Sequence, residues 1–365
     1  MQPRATRPYA LFLALVAVVV AGGFWLARRE QHGGVLEAVP RDAWLVVTID
    51  AAAMRASPLA QPLLGTGATA IPGLGSLADA CGFDPLTRLK DLVLCSPEGG
   101  ERGDFGVAFT GEFTRDELAR CADKVMQARG GRSVASRRGA FAVLEDAADP
   151  GHTRFAYRDG GPFLVGRGAW LDAMLDAAEG KAERMRPEHA ALRASLAARP
   201  GEAARSLVLT ALLPAPVRQR LRGDLGAEMA GEGERAYAGV LAVEAAGLAL
   251  AGGGPASITD AVAELHCETP DACVEVKGLL ERKRLAFSKD LGVRLVGLGP
   301  LLDSLTVDAR GPTLRVASRA PTDELARALK RVMDFRSQNK PPPAPSGSAS
   351  TAPPLGAPPA GSGGG

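Results

Sequence analysis

The pattern of apolar and polar positions along the chain predicts a mixture of short strands and helices. Ala43–Asp50 is an apolar run of strand length that is rich in β-branched residues. Asp91–Cys95 and Phe105–Thr110 are two further apolar runs, and the turn-forming residues between them predict a hairpin. Thr114 and Glu117 have the spacing of a capping box, and apolar residues follow at helical intervals, so a helix is predicted there.

The second part of the chain repeats this order of elements. A strand at Ala261–Cys267 is followed by a predicted helix, a hairpin and a last helix. The helices Asp116–Arg129 and Asp323–Arg336 are identical at eight of 14 positions, although two amphipathic helices can also match by chance. The expected fold is therefore α+β, with antiparallel sheets, helices on one face and a tandem duplication of a β-α-β-β-α unit.

An uncharged N-terminal segment indicates that the chain is exported. Residues 9–27 (Tyr9–Ala27) contain no charge and would span about 28 Å as a helix, close to the hydrocarbon thickness of a bilayer. The alternative is a signal peptide that is cleaved after Ala21 or Gly23. Because the apolar run continues through Trp25 to a charged stop at Arg28, we expect an uncleaved transmembrane anchor. The predicted location is the inner membrane, single pass, with the C-terminal part in the periplasm; secretion after cleavage is the alternative.

The predicted domain organisation consists of two α+β halves between the N-terminal anchor and a C-terminal tail of biased amino-acid composition. Residues 1–30 form the signal anchor, 31–200 the first α+β half and 201–338 the second half. Residues 339–365 are rich in Pro, Gly, Ser and Ala, which predicts a disordered tail.

Two stretches resemble a known group of proteins. Phe155–Lys181 has two strands joined by an Asp-Gly turn, a glycine that ends the second strand and a helix with a Leu-Asp start. Together with Val39–Leu59, it resembles segments of an uncharacterised family of membrane-anchored or secreted bacterial proteins built from α+β repeats. The resemblance implies location and fold, and it implies no activity and no site.

Charge and composition argue against a nucleic-acid partner. The chain has 43 basic and 41 acidic residues, a net charge of +2 and only 5% aromatic residues. A polyanion-binding surface normally carries a clear basic excess, and single-strand binding needs aromatic platforms. The expected partner is instead the inner membrane, through residues 9–27, together with an unidentified protein or other envelope component.

The five cysteines are interpreted as disulfide-forming residues because export exposes them to an oxidising compartment. Cys267 and Cys273 are the predicted pair, since a strand end can fold back on the first turn of the following helix. A zinc site that also uses His266 is the competing interpretation. It is disfavoured because neighbouring residues on a strand point to opposite faces.

No catalytic or cofactor motif is evident in the sequence. The chain has four histidines and no G-x-S-x-G elbow, and His32, His152 and His189 are predicted to lie on the surface. No catalytic, metal or cofactor residue is assigned, and no cofactor is expected. The leading hypothesis is a non-catalytic, envelope-anchored binding or scaffold protein. The alternatives are a carrier of an apolar ligand in a sheet–helix cavity and a hydrolase with a dispersed carboxylate site, for which Glu145 and Asp146 are examples.

Overall fold

The structure, a computed structural model, describes residues 34–60, 74–98, 104–149, 153–198, 204–224, 237–252 and 257–338 of the 365-residue chain. The α+β class is confirmed, because the described strands form one 12-stranded antiparallel sheet that carries helices. The predicted anchor (9–27) and the predicted tail (339–365) lie outside the described residues. Within those residues, no helix combines the length and the apolar character needed to cross a bilayer.

The sheet runs in the order β11-β12-β10-β9-β8-β1-β2-β3-β7-β6-β5-β4. The two predicted hairpins are present as β2–β3 and β11–β12. The strands are β1 (Ala43–Asp50), β2 (Leu89–Pro97), β3 (Gly106–Gly111), β4 (Ser133–Arg138), β5 (Phe141–Asp146), β6 (Thr153–Tyr157), β7 (Phe163–Arg167), β8 (Leu207–Leu212), β9 (Val243–Ala251), β10 (Ile258–Cys267), β11 (Thr306–Arg310) and β12 (Thr313–Pro321).

The helices connect the strands, and a 3-10 turn at Val35–Ala38 precedes β1. The helices are α1 (Ala51–Ala56), α2 (Leu74–Cys81), α3 (Pro85–Arg88), α4 (Arg115–Ala128), α5 (Gly168–Ala178), α6 (Pro187–Leu196), α7 (Ala215–Asp224), α8 (Ala238–Leu241), α9 (Pro270–Lys289), α10 (Leu291–Val296), α11 (Gly299–Asp303) and α12 (Thr322–Gln338).

Side-chain caps fix where several helices begin. The predicted capping box of α4 is present: Glu117 N–H donates to Thr114 Oγ1 at 3.2 Å, and Thr114 N–H donates to Glu117 Oε2 at 2.9 Å. These hydrogen bonds from Thr114 lower the pKa of Glu117. The long helix α9 starts in a similar way, with Thr269 accepting from the backbone N–H of Ala272.

Helices cover both faces of the sheet, so the prediction of helices on one face is wrong. In the first half, Phe155 packs in the cluster under α4, whereas the adjacent Ala156 packs under α5. In the second half, Cys267 packs under α9 and Val262 packs under α6. We call the two sides the α4/α9 face and the α5/α6 face. Helical periodicity identifies the apolar side of each helix, but it contains no information on which face of the sheet the helix covers.

The two halves share part of their strand order, but not the order expected from the sequence, and among the described strands the first half has seven and the second has five. From the central β1–β8 pair, each half runs outward as a three-strand meander, followed by a long helix. Each half then ends in a strand, β7 or β12, that returns to pair with the third strand of its own meander. In this arrangement α4 corresponds to α9 and α5 corresponds to α12. The similar helices Asp116–Arg129 and Asp323–Arg336 therefore occupy different places, and the predicted equivalence between them is wrong.

Candidate functional site

On the α5/α6 face, two rows of residues that lie directly opposite one another in neighbouring strands cross the sheet. The position of the candidate site is described relative to these two rows. The Thr48 row runs through β1 at Thr48, and the Val46 row passes through the same strand at Val46. From the first half to the second, the Thr48 row is Val143, Ala156, Leu164, Ala108, Val93, Thr48, Val208, Ala249, Val262, Ala317 and Thr306. The Val46 row is Arg154, Gly166, Gly106, Cys95, Val46, Thr210, Gly247, Glu264, Arg315 and Asp308.

In the first half, helix α5 lies directly on these rows. Glycines at two places in the Val46 row make room for the helix. A Cβ on Gly106 would collide with Met174 and would lie 2.9 Å from Trp170 Nε1, while a Cβ on Gly166 would lie 3.1 Å from Leu171 Cβ. The sheet surface is consequently buried and apolar here.

In the second half, the corresponding places in the Val46 row carry a carboxylate and a guanidinium group. Glu264 in β10 and Arg315 in β12 lie in this row at the same number of strands from the β1–β8 pair as Gly106 and Gly166 do in the first half. Helix α6 covers mainly the inner strands of this half, where Gly247 gives Leu192 and Leu196 room to approach, and the partly buried Ala317 of β12 packs against the same cluster. The outer strands on this face are therefore left without a helix comparable to α5.

Glu264 is the centre of a polar cluster at the C-terminal end of α6. Its carboxylate is only 7% exposed and lies 2.9 Å from Ser195 Oγ and 2.9 Å from His266 Nε2, with Arg315 Nη1 at 3.3 Å. Arg315 also donates to the backbone carbonyl of Ser195 at 3.4 Å. The C-terminal end of a helix favours cations, so Arg315 and the end of α6 stabilise each other.

A second carboxylate, Asp260, lies on the same face four residues before Glu264 in β10. Its Oδ2 atom is 3.7 Å from Arg205 Nη1 and 3.4 Å from Arg319 Nη2. Arg205 is almost completely buried and also donates from Nε to the carbonyl of Leu196, again at the end of α6. Arg319 is 67% exposed, whereas Asp260 is only 18% exposed. Arg315 and Arg319 are thus more exposed than the carboxylates with which they pair, whereas Arg205 is more buried than Asp260.

The three arginines and Asp260 line an open cleft of about 450 Å³ over β10, β12 and β11, and Glu264 is joined to it through its ion pair with Arg315. We call it the arginine cleft. Its walls are Arg205, Asp260, Val262, Arg315, Ala317 and Arg319, with Ser304 and Thr306 at its outer edge.

The cleft does not have the geometry of a nucleophilic active site. Ser195 lies next to Glu264, and its hydroxyl is also 2.8 Å from the carbonyl of Leu192. No hydrogen bond joins Ser195 to His266 in the part of the chain that the structure describes. A serine nucleophile needs a base that can take its proton, and a carboxylate already paired with Arg315 is poorly suited to this task.

His189 is fully buried, so its predicted surface position is wrong. Its Nε2–H donates to the carbonyl of Ala43 at 3.0 Å, and its Nδ1 accepts from Thr210 Oγ1 at 2.8 Å. Burial lowers the pKa of His189, so the ring is held in its neutral form. The histidine joins α6 to β1 and β8 and has a structural role. His32 and His152 lie outside the described residues.

The predicted pair Cys267 and Cys273 is joined by a disulfide in the structure, with 5.6 Å between the Cα atoms. The sequence left the partners of the other cysteines open. Cys81 is bridged to Cys121, and Cys95 is buried and unbridged. Burial raises the pKa of the Cys95 thiol to about 12, which makes this thiol unreactive. No group of His, Cys, Asp and Glu residues within the described ranges has the arrangement of a metal site.

The example carboxylates of the hydrolase alternative lie at the end of strand β5. Asp146 Oδ1 accepts from the backbone N–H groups of Arg132 and Ala148, and this carboxylate closes the end of the β4–β5 hairpin. The structure does not bring these carboxylates to the arginine cleft.

Sequence reasoning did not identify the residues of the arginine cleft. The signal was present in β10, where Asp260, Glu264 and His266 alternate with Ala261 and Leu265. This alternation indicates one charged and one apolar strand face. The partners in β12 could not be assigned, because strand pairing over about 50 residues is not encoded in local periodicity.

Comparisons with known proteins give a distant structural likeness. Crystal form I of TP0453 matches with a TM-score of 0.44 and 10% identity, covering 82% of this chain and 98% of that chain. Crystal form IV of TP0453 matches with a TM-score of 0.46 and 10% identity, covering 83% and 98%. No protein-family model matches this chain, and no curated protein matches it significantly.

Proposed function

We propose that this protein is a non-catalytic binding or scaffold module that is held outside the inner membrane by residues 9–27. The arginine cleft is its binding surface. The observation that carries the proposal is the unequal covering of one sheet face. Helix α5 buries this face in the first half, and no described helix covers the outer strands of the second half.

The charges of the cleft favour a partner that presents carboxylate or phosphate groups. Arg319 and Arg315 are the more exposed members of the two ion-pair groups, and Asp260 and Glu264 lie beneath them. An incoming anion therefore meets guanidinium groups first, and guanidinium groups bind such oxygens in bidentate geometry.

The cellular location rests on the N-terminal segment and is supported by the cysteines. Four of the five cysteines are in bridges, and disulfides persist in oxidising compartments. Fractionation of cells that produce the full chain tests the anchor. Recovery in the membrane fraction with an intact N-terminus is expected, whereas a soluble form beginning near Gly22 would show cleavage.

The proposal includes a duplication with corrected equivalences. The units are residues 43–178 and 207–338, which fall within the expected halves of 31–200 and 201–338. The common strand order around the β1–β8 pair supports this origin.

Neither alternative function gains support from a specific observation. An apolar carrier needs a closed apolar cavity, and the arginine cleft is open and lined largely by charged side chains. A hydrolase needs an activated water or nucleophile, and the two cleft carboxylates are each paired with arginine.

Site-specific cross-linking in cells tests the cleft. A photoreactive phenylalanine analogue replaces Thr306 at the cleft edge of the full chain, and the matched control replaces the exposed Val274 on the opposite face. We expect one discrete adduct from position 306 and none from position 274. The adduct should be lost when Arg315 and Arg319 are both changed to Gln. An adduct that survives R315Q/R319Q, or none at position 306, would exclude the cleft as the binding surface.

A further inference from the structure

The end of α9 and the start of α10 form a corner with unusually exposed apolar side chains. We call residues 281–295 the α9–α10 corner. Leu285 and Phe287 are 54% and 49% exposed, and Leu291 and Leu295 are 71% and 68% exposed. Leu291 and Leu295 are one helical turn apart and share a face of α10. Four large apolar side chains exposed within 11 residues are typical of an interaction surface.

The corner is held in shape by its own hydrogen bonds. Asp290 Oδ1 accepts from Val293 N–H at 3.0 Å and so begins α10, and Arg294 Nε donates to the carbonyl of Ser288 at 2.6 Å. Arg284 Nη1 donates to the carbonyl of Leu305 at 3.1 Å, which ties the end of α9 to the start of β11. The apolar side chains therefore project from a structured element, and their exposure is not a feature of a loose loop.

The same corner concentrates positive charge. Its 15 residues include five basic residues and two acidic ones, a net charge of +3, whereas the whole chain of 365 residues has a net charge of +2. One of the two acidic residues, Asp290, is used as the cap of α10. The basic residues are Arg282, Lys283, Arg284, Lys289 and Arg294.

We propose that the α9–α10 corner docks onto an anionic lipid surface. Exposed leucine and phenylalanine side chains enter the boundary between headgroups and acyl chains, and surrounding Lys and Arg side chains contact the lipid phosphates. Each basic residue near an anionic bilayer strengthens binding about fivefold. The charge complementarity selects the lipid surface over a second copy of this chain, which would bring two basic corners together.

The corner is far from the point where the chain enters the domain. Leu45, Ala211, Ala246 and Leu265 lie opposite one another across β1, β8, β9 and β10, so β1 begins at the end of the sheet where β10 ends. Helix α9 starts at that end and runs for 20 residues, or about 30 Å, and Leu291 and Leu295 follow its far end. Lipid contact at the corner is therefore separable from membrane attachment through residues 9–27.

A local fluorescent probe tests the proposal in the full chain. Leu291→Cys is labelled with an environment-sensitive fluorophore, and the native cysteines do not compete because four are bridged and Cys95 is buried. The matched control is Val274→Cys, which is 60% exposed on the first turns of the same helix α9. The probes are vesicles of phosphatidylcholine alone and vesicles in which about a third of it is replaced by phosphatidylglycerol.

We expect a blue shift at position 291 with the anionic vesicles only, and no shift at position 274. Adding Arg282→Glu and Lys289→Glu should raise the lipid concentration needed for the shift by at least about 25-fold, because two fivefold contributions are lost and two repelling charges are added. The thermal unfolding of these variants is measured in parallel, and surface changes should leave it unchanged.

Three results would overturn the proposal. Equal shifts with neutral vesicles or at position 274 would mean that the attachment is not specific to the corner. A shift without lipid that depends on protein concentration would identify a second copy as the occupant. A shift without lipid that disappears when residues 339–365 are deleted would identify the C-terminal segment as the occupant.

Discussion

Leu164 and Ala317 occupy equivalent places on the two sides of the sheet, and their surroundings differ sharply. Both belong to the Thr48 row, and each lies in the strand that returns to the meander of its own half. Leu164 is completely buried beneath α5, whereas Ala317 lines the arginine cleft. The neighbouring Val46 row explains the difference, because Gly106 and Gly166 admit a helix where Glu264 and Arg315 fill the space with charged side chains.

The comparison shows how one topology can give a buried face and an open one. Two glycines let α5 approach the backbone, and the apolar area buried there stabilises the first half. An ion pair at the same places is best left partly hydrated, since full burial of both charges costs several kcal/mol in desolvation. The pair between Glu264 and Arg315 thus favours a surface that stays open to a partner.

The largest expected effect is on the covered side. Leu164→Ala removes a side chain that is fully buried under α5, so it should lower the free energy of unfolding by about 2–5 kcal/mol. Urea-induced unfolding measures this loss. A change below 1 kcal/mol would mean that α5 does not pack on β7 as described. Leu164 could then no longer be contrasted with Ala317 as the residue that a helix covers.

The two disulfides extend the comparison to the opposite face of the sheet. Cys81 and Cys121 are 40 residues apart, while Cys267 and Cys273 are six residues apart. Chain entropy predicts losses of about 4 kcal/mol and about 2 kcal/mol when each pair is changed to Ser. Peptide mapping of the unreduced, exported protein checks both pairings, and unfolding of the C81S/C121S and C267S/C273S variants measures the losses. Free thiols at Cys267 and Cys273 in that map would contradict the predicted bridge.

The third prediction concerns the boundary between the halves. His189 is hydrogen-bonded to β1 of the first half and to β8 of the second. Because burial lowers its pKa, the unfolded chain takes up a proton at higher pH than the folded chain does. Stability should therefore fall as the pH drops below the ordinary histidine value of about 6.5, by at most about 1.4 kcal/mol per pH unit.

Unfolding of the wild type and of His189→Gln between pH 8 and pH 5 measures this contribution. The variant should be less stable at pH 8, because it loses at least one of the two hydrogen bonds of the histidine. Its stability should also depend less on pH. Parallel pH profiles for the two proteins would assign the acid sensitivity to other groups.

Local chemistry in the sequence predicted the elements better than their arrangement. The capping box of α4, the strand Ala43–Asp50 and both hairpins depend on residues close together in sequence, and all are present. The segment from residue 237 to 251 contains helix α8 and a single strand, β9. Its alanines and glycines fit either structure, and pairing with β8 and β10 decides the outcome.

The arginine cleft and the correspondence between the helices of the two halves could not be predicted, because one sequence does not contain the information on long-range strand pairing. The match between Asp116–Arg129 and Asp323–Arg336 reflects a shared amphipathic pattern, while the order of strands identifies different partners for those helices. The arginine cleft likewise combines Arg205, β10 and β12, which come together only through long-range pairing. His189 was misplaced because a polar helix start is usually exposed, and only the seam between two strands buries it.

The smallest expected effect on the free energy of unfolding is at Ala317, which lies on the open side of the sheet. Ala317→Leu gives the second half the residue that β7 has at the equivalent place, Leu164. Ala317 is only partly buried against the cluster under α6, and the added side chain extends into the open arginine cleft, so the free energy of unfolding should change by less than about 0.5 kcal/mol. The matched control is Ala108→Leu, which enlarges a fully buried alanine beside Leu164 and should cost about 1–3 kcal/mol through overpacking. Thermal unfolding of the two variants compares the positions directly. If Ala317→Leu destabilises the protein as much as Ala108→Leu does, the face over β10 and β12 is covered in solution, and the cleft is not available to a partner.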